Sequence, residues 1–405
     1  MQSLIKGFLL TSLFFTPILF SFSQTTTNPG VITGVNEANR VPVPAVPFLS
    51  IPPDARAAAM GDVGAATTPD ANSTFWNPSK LAFVEQPNGV SLSYTPWLRN
   101  LVGDMSLSYL SGFYKLDKNS TLAGTINYFD LGYIQFTNSG GQVTGDYYSK
   151  EFGASASYAR KLSANLSVGV GLRYILSDLT GTLVVNGTSS KPGSSASGDI
   201  SIYRSPKNTG KPLTWAWGAN LSNLGGKINY GGAGGKYFIP TNLRVGTSAN
   251  LKKSAFNRFS FSLDLNKFMI PTPPARDANN VIVKGKDIND GSALGRVFGS
   301  FTDAPDGISE ELKEIAYSLG AEYAYKEQFM FRGGYFYENK IKGGRSYLTA
   351  GFGAKFSDKY TFDFAYLFQP TQAGNTSPLN NTLRFTLGVF FDKKTNKAND
   401  EPDLN

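Results

Sequence analysis

From Asn88 onward, large apolar side chains recur at every second position. In LTWAWGANL, Leu213, Trp215, Trp217, Ala219 and Leu221 fall on one face, and Thr214, Ala216, Gly218 and Asn220 on the other, since successive side chains of an extended strand point to opposite sides. In IAYSLGAEYAY, Ile315, Tyr317, Leu319, Ala321, Tyr323 and Tyr325 oppose Ala316, Ser318, Gly320, Glu322 and Ala324. YTFDFAYLF sets Tyr360, Phe362, Phe364, Tyr366 and Phe368 against Thr361, Asp363 and Ala365. LRFTLGVFF sets Leu383, Phe385, Leu387, Val389 and Phe391 against Arg384, Thr386 and Gly388. One face is thus large and apolar. The other is small or polar and carries charges such as Arg173, Asp264, Glu322, Lys355, Asp363 and Arg384.

A β-sandwich alternates too, so three further features decide. The strands run roughly 10 to 13 residues, near what a tilted strand needs to cross a bilayer and longer than the usual soluble strand. Aromatics gather on the apolar face and near strand ends, as in interfacial girdles. Connections alternate between very short (Ser163-Ala164, around Glu327, around Ser357-Asp358) and long (131–150, 179–197, 224–240, 268–313, 370–380). Short periplasmic turns opposite long outer loops mark an outer-membrane barrel. Strand starts fall near residues 88, 103, 120, 151, 165, 197, 213, 241, 256, 314, 328, 346, 359 and 381. That makes roughly fourteen antiparallel strands, an even number as closure of a bacterial barrel requires. Ser197–Ser205 alternates least clearly, yet without it every later loop would fall on the wrong side. The predicted fold class is therefore an all-β transmembrane outer-membrane β-barrel over residues 87–391.

A lumen of that width is too wide for its own side chains to fill, so it is either open to water or plugged. RAAAMGDVGAATTPDANSTFWNPSKLA, residues 56–82, is rich in side chains small enough to pack against a Gly, Ala and Ser wall. Asn77 reads as a helix N-cap with Pro78 at the first helical position, and Trp76 as an apolar anchor. Residues 56–86 are thus predicted to form an N-terminal hatch or plug, with a periplasmic linker carrying one capped helix as the alternative.

Ahead of it, MQSLIKGFLLTSLFFTPILFSFSQ has Lys6 before an apolar run from Gly7 to Phe20 and small residues before Gln24, the pattern of a signal peptide over 1–23. Residues 24–55 read as a periplasmic extended segment, in which PVPAVPF (42–48) is a polyproline stretch serving as spacer or docking element. Residues 392–405 read as a polar, disordered periplasmic tail, which puts both termini in the periplasm.

Composition narrows the chemistry. The 405 residues include no cysteine and no histidine, which removes disulfides, thiolate nucleophiles, imidazole bases and nearly every transition-metal site. The net charge of +8 is spread along the chain, unlike a nucleic-acid footprint. No cofactor and no metal is expected. YGGAGGKY (230–237) fails the phosphate-loop pattern, since Tyr230 stands where a glycine belongs and Tyr237 follows Lys236. DINDGS (287–292) has Gly291 one position early for a calcium loop and no closing glutamate. A barrel hydrolase would need a base beside its hydroxyl nucleophile, and no lysine is singled out by spacing, so an enzyme is not expected.

Residues in the hatch carry a resemblance. AMG followed by the small-residue run, then DA…WNP…LA, is similar to the N-terminal hatch of the fatty-acid-transporter-like outer-membrane family. Where that family usually has MGG, a DD pair and WNPAG, this chain has Met60-Gly61-Asp62, Pro69-Asp70-Ala71-Asn72 and Asn77-Pro78-Ser79-Lys80. MGDVG (with Gly64), ATTPDANS, GDISIY and ANLSNLG resemble the PorV family of the type IX secretion system of Bacteroidetes, over nearly all of the mature chain. The resemblance implies a non-enzymatic role in protein export at the Gram-negative outer membrane. It implies binding to a giant translocon barrel of the SprA (Sov) type, uptake of cargo through a C-terminal signal domain, and delivery to a surface complex with a PorU-type sortase. The broader family implies an alternative, a channel for hydrophobic small molecules. Since the lipid face is uniform and the turns short, partner and cargo recognition is expected on the long loops, at Tyr230, Lys236 and Tyr237 and at Pro271, Pro273, Pro274, Phe298 and Phe301.

Overall fold

The computed structural model describes residues 32–33, 40–99, 101–137, 140–179, 181, 184–185, 188–189, 191–206, 210–231, 236–277, 279–369 and 379–391. The signal-peptide and C-terminal-tail expectations lie outside these residues. Fourteen antiparallel strands close on themselves. They are β1 (Asn88–Pro96), β2 (Ser106–Lys115), β3 (Ser120–Thr137), β4 (Val143–Ser163), β5 (Leu166–Asp178), β6 (Gly193–Arg204) and β7 (Leu213–Gly225). β8 (Asn242–Lys252), β9 (Asn257–Phe268), β10 (Ile315–Tyr325), β11 (Phe329–Tyr337), β12 (Ser346–Phe356), β13 (Tyr360–Phe368) and β14 (Thr382–Phe391) complete the wall. Each strand pairs with its sequence neighbours, and β1 joins β14 from Asn88↔Phe391 to Tyr94↔Phe385. Closure leaves no sheet edge, so every wall amide can be satisfied within hydrocarbon.

The period-two pattern sets which face is which. Ser93, Ser157, Ser201, Asn220, Ser248, Asp264, Ser318 and Thr386 are buried on the lumen side, while Leu172, Trp215, Leu263, Leu319 and Leu387 are exposed on the outside. At the β10–β11 turn Lys326 (φ 53°) and Glu327 (φ 52°) take the left-handed backbone that tight hairpins of right-twisted strands use.

Two expectations are corrected. Residues 131–150 are not a loop: β3 and β4 run on as 18- and 21-residue strands beyond a bulge between Asp130 and Tyr133. Alternation persists there, and the Tyr133 and Tyr148 rings pair across the strands at 5.4 Å. The hairpin therefore projects past the rim.

The second correction concerns the described part of residues 24–55, expected on the short-turn side; the N-terminus itself lies outside the described residues. Ile32 and Thr33 pair with Asp277 and Arg276 in the longest connection, the Ala45 amide donates to the Phe238 carbonyl at 2.8 Å, and Arg40 meets Glu310. All of these partners belong to long connections. The described part of the segment thus starts at the long-loop end and enters the lumen from there. Phe48 and Leu49 pack with Leu107, Phe129, Ile175, Ile228 and Ile239 near that rim, and apolar burial outweighs the spacer-like sequence.

Candidate functional site

Residues 46–86 cross the lumen in short turns. α1 (Ala55–Ala58) is capped by Asp54, whose carboxylate accepts from the Ala57 amide at 2.9 Å and from the Trp76 indole at 2.5 Å. α2 (Ser73–Trp76) leads into a 3₁₀ turn at Pro78–Phe83. Asn77 caps that turn, accepting from the Ser79 amide at 3.2 Å, while its own amide donates to the carbonyls of Ala65 (2.9 Å) and Ile202 (3.1 Å).

The segment lies along the inner wall from strand to strand. The Ala55 amide donates to Thr386 Oγ1 of β14 at 2.9 Å, and the Gly61 amide to Thr349 Oγ1 of β12 at 2.9 Å. Asp264 of β9 accepts from the amides of Gly64 (2.7 Å) and Ala65 (2.9 Å), and Ser201 of β6 from that of Ser79 (3.0 Å). Small residues make these approaches possible. A Cβ on wall Gly334 would sit 2.1 Å from the Gly61 nitrogen, one on Gly218 2.3 Å from the Ala65 oxygen, and one on Gly64 2.2 Å from the Trp76 ring. Gly61 also has φ +66°, where a side chain would be strained. Met60 is buried beside it, and Asp62 takes a hydrogen bond from the Tyr347 hydroxyl.

Many charges inside the barrel are paired with opposite charges. Arg56 bonds Asp70 at 2.7 Å and lies 3.7 Å from Glu322. Glu322 in turn meets Arg332 (2.8 Å) and Arg258 (3.1 Å), and Arg332 meets Asp363 (2.6 Å). Arg244 stacks over the Trp76 ring at 4.4 Å and lies 3.5 Å from Asp264. Lys80, buried, donates to the Gly64 carbonyl and Thr67 Oγ1, both at 2.9 Å. Buried charges that lose one partner are costly, so the network fixes where the segment rests.

Residues 54–80 lie between two cavities. One of about 510 Å³ opens toward the short turns and is lined by Arg56, Asp70, Glu322 and Arg332. The other, about 490 Å³, lies at the long-loop mouth and is lined mainly by apolar groups including Val41, Pro44, Ile51, Trp97 and Phe129. At that mouth a buried cluster ties three parts of the chain together. Arg40 holds Glu310 through two bonds of 3.0 and 2.9 Å, and Lys342 donates to Glu310 (2.6 Å), Glu314 (3.1 Å) and the Arg40 carbonyl (2.9 Å). Burial opposes ionisation of Glu310, but the hydrogen bonds from Arg40 and Lys342 outweigh it and hold the carboxyl below its ordinary value.

The residues singled out on the long loops separate. Tyr230 is half-buried and donates to Ser177 Oγ at 3.0 Å, Lys236 and Tyr237 are exposed, and Tyr237 lies in a two-residue ladder with Ile228. Pro271 and Pro274 are buried and Pro273 half-buried, so they shape the loop's base, while Phe298 and Phe301 are exposed. Asp287 of the calcium-like stretch accepts from its own turn's Asn289 amide at 2.9 Å and lies 3.6 Å from Arg276. The Arg40 cluster has no sequence signal, since Arg40 and Glu310 are 270 positions apart.

A closed fourteen-stranded wall with a polar inside and an apolar outside defines an outer-membrane β-barrel. Among solved structures, the fold is similar to the TodX deltaS2S3 mutant monoaromatic hydrocarbon channel (TM-score 0.51, 13% identity, 84% of this chain and 99% of that chain). The CymD monoaromatic hydrocarbon channel (0.48, 16%, 84% and 98%) and the Ralstonia pickettii toluene transporter TbuX (0.46, 14%, 83% and 96%) are further similar structures. No curated protein matches in sequence. The profile of the family described as "Type IX secretion system protein PorV" matches residues 34–275, more than half of the chain. The chain belongs to the PorV family, and its role is in type IX secretion at the outer membrane.

Proposed function

We propose that this protein acts in type IX secretion as a non-enzymatic adaptor. Its long-loop face binds the SprA-type translocon barrel, receives cargo by its C-terminal signal domain and passes it to the PorU-type sortase complex. The short turns and the C-terminal tail face the periplasm, and residues 56–86 serve as a plug. One observation carries this reading: residues 54–80 lie between the two lumen cavities and are tied to the wall on most sides, which favours traffic past the protein's surface over traffic through it. The longest connection, 269–314, supplies the recognition surface. The test is co-purification from detergent-solubilised membranes. Wild type should bring down a very large barrel and secreted cargo, and deletion of 275–305 should abolish both. Unchanged recovery after the deletion overturns the assignment of that loop, and recovery of neither by wild type overturns the adaptor role.

A second reading, a channel for hydrophobic small molecules, is favoured by the apolar mouth cavity of about 490 Å³. Unbroken pairing around all fourteen strands weighs against lateral exit through the wall. Toluene uptake into liposomes that depends on the protein would support the channel.

A further inference from the structure

The longest connection carries α3 (Ala293–Gly299) and α4 (Ile308–Lys313), and its side chains are arranged inside out for a water-exposed loop. Leu294, Phe298, Phe301, Ile308 and Leu312 are exposed, Ile308 by 76%. The acidic groups between them turn inward or are paired. Glu310 meets Arg40 and Lys342, Glu311 meets Lys267 at 2.9 Å, Asp306 meets Arg40 and Lys284, and Asp303 lies 3.6 Å from Arg296. Polar groups in and apolar groups out is the pattern of the barrel wall below, and the reverse of a soluble surface, where a patch this apolar is unusual.

The position of the helices matches that pattern. Val297 of α3 belongs to a cluster packed against Leu221, Leu224 and Leu243, which fall on the outward face of β7 and β8 at the long-loop rim. Lys267, outward on β9 by its register with Leu265, is covered by Glu311 and lies 5.8 Å from the Phe301 ring centre. In α4, Ile308 and Leu312 share a face, and Glu310, which points to the Arg40 cluster over the lumen, lies on the opposite face. The two helices therefore sit over the outer edge of β7–β10 and present their apolar side chains in continuation of the lipid-facing surface of Trp217, Val245, Leu265 and Tyr317.

We propose that α3 and α4 form a collar seated in the outer leaflet of the membrane, with Leu294, Phe298, Phe301, Ile308 and Leu312 in contact with lipid. Short amphipathic elements with aromatic and aliphatic side chains settle at the headgroup–acyl boundary in this way. The collar would pin the longest connection to the bilayer on one side, leaving its Arg40-linked side over the mouth.

The chain has no cysteine, so single-cysteine variants can be labelled cleanly. Full-length Phe298→Cys and Leu312→Cys, each carrying an environment-sensitive fluorophore, are reconstituted in phosphatidylcholine vesicles with and without spin-labelled acyl chains. Trp217→Cys on the wall is the lipid-facing reference, and Val43→Cys at the mouth, 76% exposed, is the aqueous reference. The expected result is a blue shift and lipid-dependent quenching at 298 and 312 that match position 217, with neither at position 43. Emission and quenching at both collar positions that match position 43 overturn the proposal and point to a protein partner for this ridge. Two sites guard against one variant that fails to fold.

Discussion

The wall and the segment it encloses keep their polar backbone satisfied by opposite means. The wall uses one repeated device, the antiparallel ladder, whose bonds do not depend on which side chain sits at a given position. The segment at 46–86 has only four- to six-residue helical turns and relies on individual side chains of the wall: Thr386, Thr349, Asp264 and Ser201 each receive its amides. A repeated device tolerates substitution, and a set of single contacts does not. Sensitivity to mutation should therefore concentrate inside the barrel.

The largest effect should come from Asp264→Ala, which strands the amides of Gly64 and Ala65 and leaves Arg244 without its carboxylate. The expected loss is about 3–5 kcal/mol of segment stability, read as a lower melting temperature in detergent and as new conductance in planar bilayers. A full melting temperature and a silent bilayer would show that the wall does not hold the segment through this residue.

Gly64→Val comes next. Its Cβ would fall 2.2 Å from the Trp76 ring, and overpacking of this kind costs about 1–3 kcal/mol. Trp76 fluorescence should shift to the red if the ring is expelled, an outcome that a tolerant site would not produce.

At the mouth, Glu310→Gln removes the negative charge and one of the two carboxylate oxygens that accept from Arg40 and Lys342, and should cost about 2 kcal/mol. The wild-type contribution has a definite pH sign. Because the folded carboxyl titrates below its ordinary value, its stabilisation is present above the usual carboxylate range and is lost as pH falls through that lowered value. The melting difference between wild type and Glu310→Gln should therefore shrink on acidification. A difference that grows toward low pH would contradict the assigned ion pairing.

The smallest effect should come from the outer wall. Leu172→Ala, at a side chain 75% exposed, trades a lipid contact for a lipid contact and should stay within about 0.5 kcal/mol. A loss as large as that of Gly64→Val would erase the contrast between wall and segment.

Much of the wall was legible because alternation is local: each strand carries its own record of which face meets hydrocarbon, and the fourteen strand starts follow from it. Even Ser197–Ser205, with its unclear alternation, lies in β6 as far as Arg204. Asn77 and Pro78 were equally legible, because a cap and a first-turn proline act within two residues. The hairpin at 131–150 was misread where glycine-rich, polar stretches hid a continued ladder. The Arg40 cluster and the collar carried no advance signal. Their meaning depends on which distant groups a fold brings together.

By itself, then, the order of residues settled the architecture of the barrel wall: strand number, face and parity, since all of these are short-range properties of an extended chain. Tertiary structure alone decided the direction in which the N-terminal segment enters the lumen and the pairing of Arg40 with Glu310 and Lys342. It also turned Ile308 and Leu312 outward. Those depend on contacts across hundreds of residues, where burial and charge pairing in three dimensions overrule what a proline-rich or acidic stretch looks like in isolation.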